Sequence, residues 1–203
     1  MSSDQNVSDV DSGRRRLLFA TTAVGGAAAL TAAVPLVLSM NPSERAKTAG
    51  APVQADVSKI APGEMKTVEW QGKPVWIIHR TPEMIESLKN TDEKVADPES
   101  DRVNQPEYAK NETRSIKPEY MVVVGICTHL GCNPGEKFKT GESSGVSSDW
   151  PGGFLCPCHG SMFDLAGRVY KNKPAPDNLV VPIHKYLDDK TIVIGIGQDG
   201  KEA

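Results

Sequence analysis

Hydrophobic and polar positions divide the chain into unlike stretches. Residues 1–13 are polar, rich in Ser and Asp and free of apolar periodicity, which predicts a disordered lead-in. Arg14, Arg15 and Arg16 then stand before an uncharged run over 17–40. As a helix those 24 residues span about 36 Å, enough to cross a hydrocarbon core of about 30 Å with some tilt. Residues 14–40 are therefore expected to form a signal and membrane anchor, with Gly25, Gly26 and Pro35 tolerable inside it. A removable signal peptide is the alternative, since Ala27-Ala28-Ala29 offers small residues for cleavage, but the apolar run is longer than such segments use. Residues 41–54, rich in Ala, Pro, Gly and charge, carry no apolar stripe and read as a flexible hinge linker.

The body, 55–203, alternates short β-rich runs with turn residues. Runs at 65–70 and 74–80 around Gln71-Gly72-Lys73 predict a hairpin. Thr81-Pro82-Glu83 opens a helix to about residue 88, with a capping hydroxyl, Pro in the first turn and an early acid. Residues 90–118 are charged and interrupted by Pro98, Pro106 and Pro118, so they are expected to be mostly irregular. A buried strand over 120–126 runs into Cys127, and further strands are expected at 168–171, 179–184 and 191–196. Many short strands and one short helix predict a mainly β fold, an antiparallel β-sandwich. The Gly/Ser-rich stretch from Pro134 to Trp150 reads as a surface excursion.

Charge narrows the partners. Of 23 basic and 26 acidic side chains, the first fifty residues hold five and four. The body is left with 18 and 22 and a mildly acidic balance. Nucleic acid is not an expected partner, because that surface lacks the positive footprint phosphate binding needs. Three arginines ahead of the anchor predict a cytoplasmic N-terminus and a body on the far side. The run Arg14-Arg15-Arg16-Leu17-Leu18 is similar to a twin-arginine export signal, which carries folded proteins across.

All four cysteines lie in two loops that also carry histidine: Cys127-Thr128-His129-Leu130-Gly131-Cys132 and Cys156-Pro157-Cys158-His159-Gly160-Ser161. Each loop offers a thiolate and an imidazole at short spacing, together enough to hold a metal centre. Zinc, or disulfides with bystander histidines, could use the same atoms. Structural zinc motifs, however, use Cys-x-x-Cys knuckles and have no reason to place a further cysteine beside each half-site. His79 and His184 lie at strand ends and are not expected to be ligands; Trp70, Trp76 and Trp150 read as core or rim aromatics.

The two loops resemble the signature of the Rieske iron-sulfur family, and the resemblance extends over anchor, linker and β body. Val68-Glu69-Trp70-Gln71-Gly72-Lys73-Pro74-Val75-Trp76 and His79-Arg80-Thr81 are similar to the branch that serves bacterial quinol to cytochrome c oxidoreductases of the cytochrome bc type. The resemblance implies a single N-terminal transmembrane helix and a Rieske-type sandwich with a cluster-binding subdomain over about 125–178. It implies one 2Fe–2S cluster, with Cys127 and Cys156 on one iron and His129 and His159 on the other. Ser161 would donate a hydrogen bond to a bridging sulfide, and Cys132 and Cys158 would form a disulfide. Pro174-Ala175-Pro176 would be the shielding proline loop, although Lys173 stands where the family usually has Gly. Phe163 stands where many members have Tyr, so it lacks that hydroxyl.

The implied function is electron transfer from ubiquinol or a related quinol, at a site shared with cytochrome b, to a c-type cytochrome. This contributes to proton-motive force, with the linker permitting a swing. Replacing two thiolates by neutral imidazoles removes negative charge and raises the potential into the range of a quinol. His159 is expected to meet the quinol hydroxyl and take its proton. The implied setting is a dimeric complex in the bacterial inner membrane, with the body periplasmic. The rivals are the small Rieske subunit of an exported oxidase such as arsenite oxidase, a Rieske oxygenase and a zinc scaffold. The oxygenase fails on inventory: beyond His159 only His184 remains for its second iron.

Overall fold

The computed structural model describes residues 11–44 and 50–201. Residues 1–10 of the expected lead-in and 45–49 of the expected linker lie outside the described residues. The chain forms two compact units, 1–47 and 48–203.

In the first unit, helix α1 (Ser12–Ser39) begins at Asp11, whose carboxylate accepts from the amides of Gly13 and Arg14 and so satisfies two free donors of the first turn. The hydroxyls of Thr21, Thr22 and Thr31 donate to carbonyls one turn earlier. No threonine hydroxyl on α1 is thereby left without a partner, as hydrocarbon demands. The helix is long and apolar enough to cross a membrane, and its side chains, Leu17, Phe19 and Leu36 among them, are exposed.

In the second unit nine strands form three antiparallel three-stranded sheets among the described residues. Strands β1 (Val53–Asp56), β9 (Thr191–Ile194) and β8 (His184–Asp188) make one in that order. The second is β2 (Met65–Trp70), β3 (Lys73–His79) and β4 (Tyr120–Val124). The third, smaller one is β5 (Gly135–Lys137), β6 (Gly153–Leu155) and β7 (Met162–Phe163). Between β3 and β4 lie helix α2 (Pro82–Glu86) and short 3-10 turns.

The middle sheet is buried on both faces, and the alternation of side chains shows how. Val75, Ile77, Val122 and Val124 join Ala55, Ile192 and Ile194 in one apolar cluster against the first sheet. Their neighbours Trp76, Ile78, Met121 and Val123 point the other way and meet Phe154, Phe163, Cys127 and Cys156. Period-two geometry sends successive residues to opposite faces, so an unbroken apolar run is what a doubly covered strand requires. One face anchors the body and the other carries the cysteine loops.

The predicted hairpin is present, with β2 and β3 paired from Met65 opposite Ile78 to Trp70 opposite Lys73. Thr81 caps α2 through the Met84 amide. The α-helix stops at Glu86, and Ser87–Asn90 continues as a 3-10 turn rather than to residue 88 as helix. Two expected strands are not strands. Over 179–184 the amides serve separate partners, Leu179 on Gly167 and Val181 on Asn104, and the ladder starts only at His184. Residues 168–171 contribute isolated bridges from Val169 and Tyr170. Strand β1 takes in the last two residues of the expected linker. The stretch between the loops contributes β5, and Trp150 is buried with its indole N–H on the Lys137 carbonyl, so it is more than an excursion. Trp70 and Trp76 are core residues, as read from sequence.

Irregular backbone beneath the loops is held by three fully buried arginines, Arg80, Arg114 and Arg168. Buried carbonyls without a ladder need donors, and a guanidinium supplies five in a fixed fork. Arg80 donates to the carbonyls of Pro118, Thr113 and Leu165 and to the Ser115 hydroxyl. Arg114 donates to the carbonyls of Ala166 and Leu179 and to Gln105. Burial pushes both guanidinium groups down to about 10, which leaves them charged at neutral pH. Arg168 pairs with buried Asp164 at 2.7 Å and with Asp92 at 2.6 Å. Removing one partner of a buried pair strands the other charge, so Arg168→Met is expected to cost about 3–5 kcal/mol. Chemical denaturation of the detergent-solubilised chain measures this, and an unchanged midpoint would refute the ion pair's role.

Candidate metal centre

Strand β4 leads through Gly125 and Ile126 directly into the first loop. A side chain at Gly125 is sterically impossible, since its Cβ would stand 2.2 Å from the Trp76 ring. Glycine there lets the chain turn across the indole. In the first loop the Cys127 amide donates to the Cys132 carbonyl at 2.7 Å and Gly131 to Cys127 at 3.1 Å. In the second the Cys156 amide donates to Ser161 at 2.8 Å and Gly160 to Cys156 at 3.0 Å. Gly131 and Gly160, both at positive φ (82° and 72°), close the turns. The two loops are thus one backbone motif used twice.

That identity explains the unequal sequence spacings. Each turn starts at a buried cysteine, but histidine takes the third place in one (His129) and the fourth in the other (His159). The second cysteine takes the sixth place (Cys132) and the third (Cys158). The structure joins these as a disulfide across 26 residues, with Cα atoms 6.6 Å apart.

Cys127 and Cys156 are free thiols, each 2% exposed. Burial, with the neighbouring Cys156 thiol adding to it, pushes the Cys127 thiol above its ordinary range. A cation is what turns such a pair into thiolates, and its binding releases their protons. The imidazoles of His129 and His159 meet edge to face, ring centres 4.8 Å apart. His129 is half-buried and His159 exposed. The sulfurs of Cys132, Cys156 and Cys158 also lie within 4.8 Å of one another. They are not a ligand triad, because two of them are consumed in the disulfide. Two thiols and two imidazoles, soft and borderline donors on facing turns, fit a two-iron sulfide centre.

The expected proline loop lies against both turns. The Ala175 amide donates to the buried Ser161 hydroxyl at 3.0 Å, and that hydroxyl partly offsets the upward push on the Cys127 thiol. The Thr128 hydroxyl donates to the Asp177 carbonyl at 2.6 Å. Phe163 is buried in the same apolar cluster as both free cysteines. The sequence reading did not single out Thr128, although a hydroxyl between two ligands is a recognisable cue. His79 and His184 stand apart: the first binds the Ile60 carbonyl and stacks on Tyr120, the second is buried on the Pro182 carbonyl. Burial lowers the basicity of His184, which favours its neutral form.

Comparison with known proteins points to the same kind of centre. The Rieske [2Fe-2S] domain model matches residues 51–186, and the model described as "Ubiquitinol-cytochrome C reductase Fe-S subunit TAT signal" matches residues 5–43. The chain is 59% identical, over 90% of its length and 87% of the relative's, to the ubiquinol-cytochrome c reductase iron-sulfur subunit of Allochromatium vinosum. It is 40% identical to the subunit of the same name from Cereibacter sphaeroides, over 94% of this chain and 99% of that one. Among solved structures it is similar to a chain of a hyperthermophilic respiratory Complex III, with 30% identity, coverage of 86% and 96%, and a TM-score of 0.46. The exported-oxidase alternative is not favoured by these matches. The chain belongs to the Rieske [2Fe-2S] family, in its branch of ubiquinol-cytochrome c reductase iron-sulfur subunits.

Proposed function

We propose that Cys127 and Cys156 hold one iron, and His129 and His159 the other, of the 2Fe–2S centre of an electron-transferring subunit of a quinol to cytochrome c oxidoreductase. The observation that carries this reading is the pairing of the two buried free thiols with two facing imidazoles on twin turns. When bound, the centre supplies a one-electron acceptor that neutral imidazole ligation makes easier to reduce than an all-thiolate one. His159, the exposed imidazole, is the one a quinol can reach, and it accepts the quinol proton. His129, half-buried, is the poorer candidate. Ser161 donates toward sulfur, and the disulfide and proline loop keep bulk water from the buried thiolates.

The further assignments are of a piece with this role. Cytochrome b and a c-type cytochrome are the partners, in a dimeric complex, and the linker ahead of strand β1 serves as the hinge between the two docking positions. Helix α1 anchors the subunit in the bacterial inner membrane, N-terminus cytoplasmic and Rieske domain periplasmic. The basic flank Arg14-Arg15-Arg16 supports that orientation.

Purified chain is expected to contain iron and acid-labile sulfide in equal amounts and to show a Rieske-type paramagnetic signal on reduction; zinc in their place would end the reading. His159 variants that keep the signal should lose quinol oxidation while still accepting electrons from dithionite. Wild-type turnover in such a variant would reassign the proton acceptor. Reduction to free thiols, or Cys158→Ser, should cost about 3–4 kcal/mol of stability, the loop-closure value for a crosslink of this span. Thermal melts with and without reductant give the number. Phe163→Tyr should raise the potential in protein-film voltammetry, because a hydroxyl donated to a ligand sulfur favours the reduced state.

A further inference from the structure

The proline loop touches the twin turns on one side and an irregular segment, residues 97–105, on the other. That segment is built around Asp97, whose carboxylate accepts from the amides of Asp101 (2.9 Å) and Arg102 (3.2 Å). The buried side-chain amide of Asn178 donates to the Asp97 carbonyl at 3.1 Å and accepts from the Val169 amide at 2.9 Å. The Val181 amide donates to Asn104 at 2.8 Å, so the chain after the proline loop is fixed as well. From this platform Arg102 reaches over the loop. Its Nη1 donates to the Pro176 carbonyl and, at 2.9 Å, to the Asp177 carboxylate.

We propose that Arg102 is a positioning residue that latches the proline loop and thereby sets the hydrogen bond from Ser161 to the centre. The path is short. Pro174 and Pro176 have no N–H, so between them only Ala175 can donate, and its amide goes to the Ser161 hydroxyl. With a lone pair of that oxygen occupied by Ala175, the hydroxyl proton is left to donate toward sulfur of the centre, the role proposed for it above. The Pro176 carbonyl held by Arg102 belongs to the residue next to Ala175. Without the latch the Ala175 amide drifts, the Ser161 hydroxyl turns more freely, and its bond to sulfur weakens. A donor to sulfur stabilises the more negative, reduced state, so loosening the latch disfavours reduction. The inference rests on the proposed ligand assignment.

A rival account lets the Arg102 charge act through space. Both predict a lower potential for Arg102→Ala, but they part at two variants. The latch acts through Ser161, so in a Ser161→Ala background Arg102→Ala should shift nothing further; a through-space charge acts equally in both. For Asp177→Ala the signs are opposite. The latch loses an anchor and the potential falls, whereas removing a negative charge alone would raise it.

The test is a paramagnetic-resonance redox titration of the full, cluster-loaded chain in detergent. Arg102→Ala is expected to keep the signal and the melting temperature, because its side chain is half exposed, and to make reduction about threefold less favourable. At 59 mV per tenfold for one electron that is about 28 mV. An unchanged potential, the same shift in the Ser161→Ala background, or a rise for Asp177→Ala overturns the latch. A wild-type chain without iron and sulfide removes the ligand assignment, and this inference with it.

Discussion

Everything in the site depends on holding two turns face to face. Neither turn belongs to a long ladder, and each is closed by two backbone hydrogen bonds and a glycine. What keeps them together is the Cys132–Cys158 bond, with the proline loop bonded to both. A crosslink removes conformations from the unfolded chain more effectively than it adds contacts to the folded one. It suits a site built on two irregular loops rather than on a ladder. The Rieske assignment therefore rests on a constraint as much as on a donor list.

Beneath the turns the protein trades regular structure for buried cations. A sheet covered on both faces serves as foundation, but the segments between it and the loops follow no ladder. Arg80, Arg114 and Arg168 supply the donors their carbonyls would otherwise lack. Buried charge is a weak source of net stability against an apolar alternative, yet it is severe toward misplacement. Three guanidinium forks reading specific carbonyls make one loop arrangement much better than its neighbours.

The elements legible in the sequence were those whose signal is local. The hairpin at Gln71-Gly72, the Thr81 cap, the apolar strand into Cys127 and the uncharged helix all follow from nearest neighbours. The family resemblance was equally local, carried first by two six-residue loops and then by short runs such as residues 68–76. Strands β5, β6 and β7 escaped notice because they are two or three residues long and owe their pairing to the loops they flank. The apolar stretch at 179–184 read as a strand because burial and ladder formation look alike in composition. Leu179 and Val181 are buried, and their amides bond to the carbonyls of Gly167 and Asn104, partners that no periodicity reveals. Arg102 and Asn178 were illegible for the same reason, since their importance lies wholly in what they reach across the fold.

The unequal exposure of the two imidazoles ties this architecture to the reaction. The twin turns share one backbone, so a symmetric pair of half-sites would have presented both histidines alike. Shifting histidine by one place, from third to fourth, leaves His129 half-buried and brings His159 to the surface. A quinol must give up a proton with each electron, and only a group it can touch can take that proton in the same encounter. On the proposed assignment the half-buried His129 serves ligation and His159 meets the substrate. On that assignment the one-residue offset between Cys127-x-His129 and Cys156-x-x-His159 goes with the difference between a half-buried ligand and a ligand that a quinol can also touch.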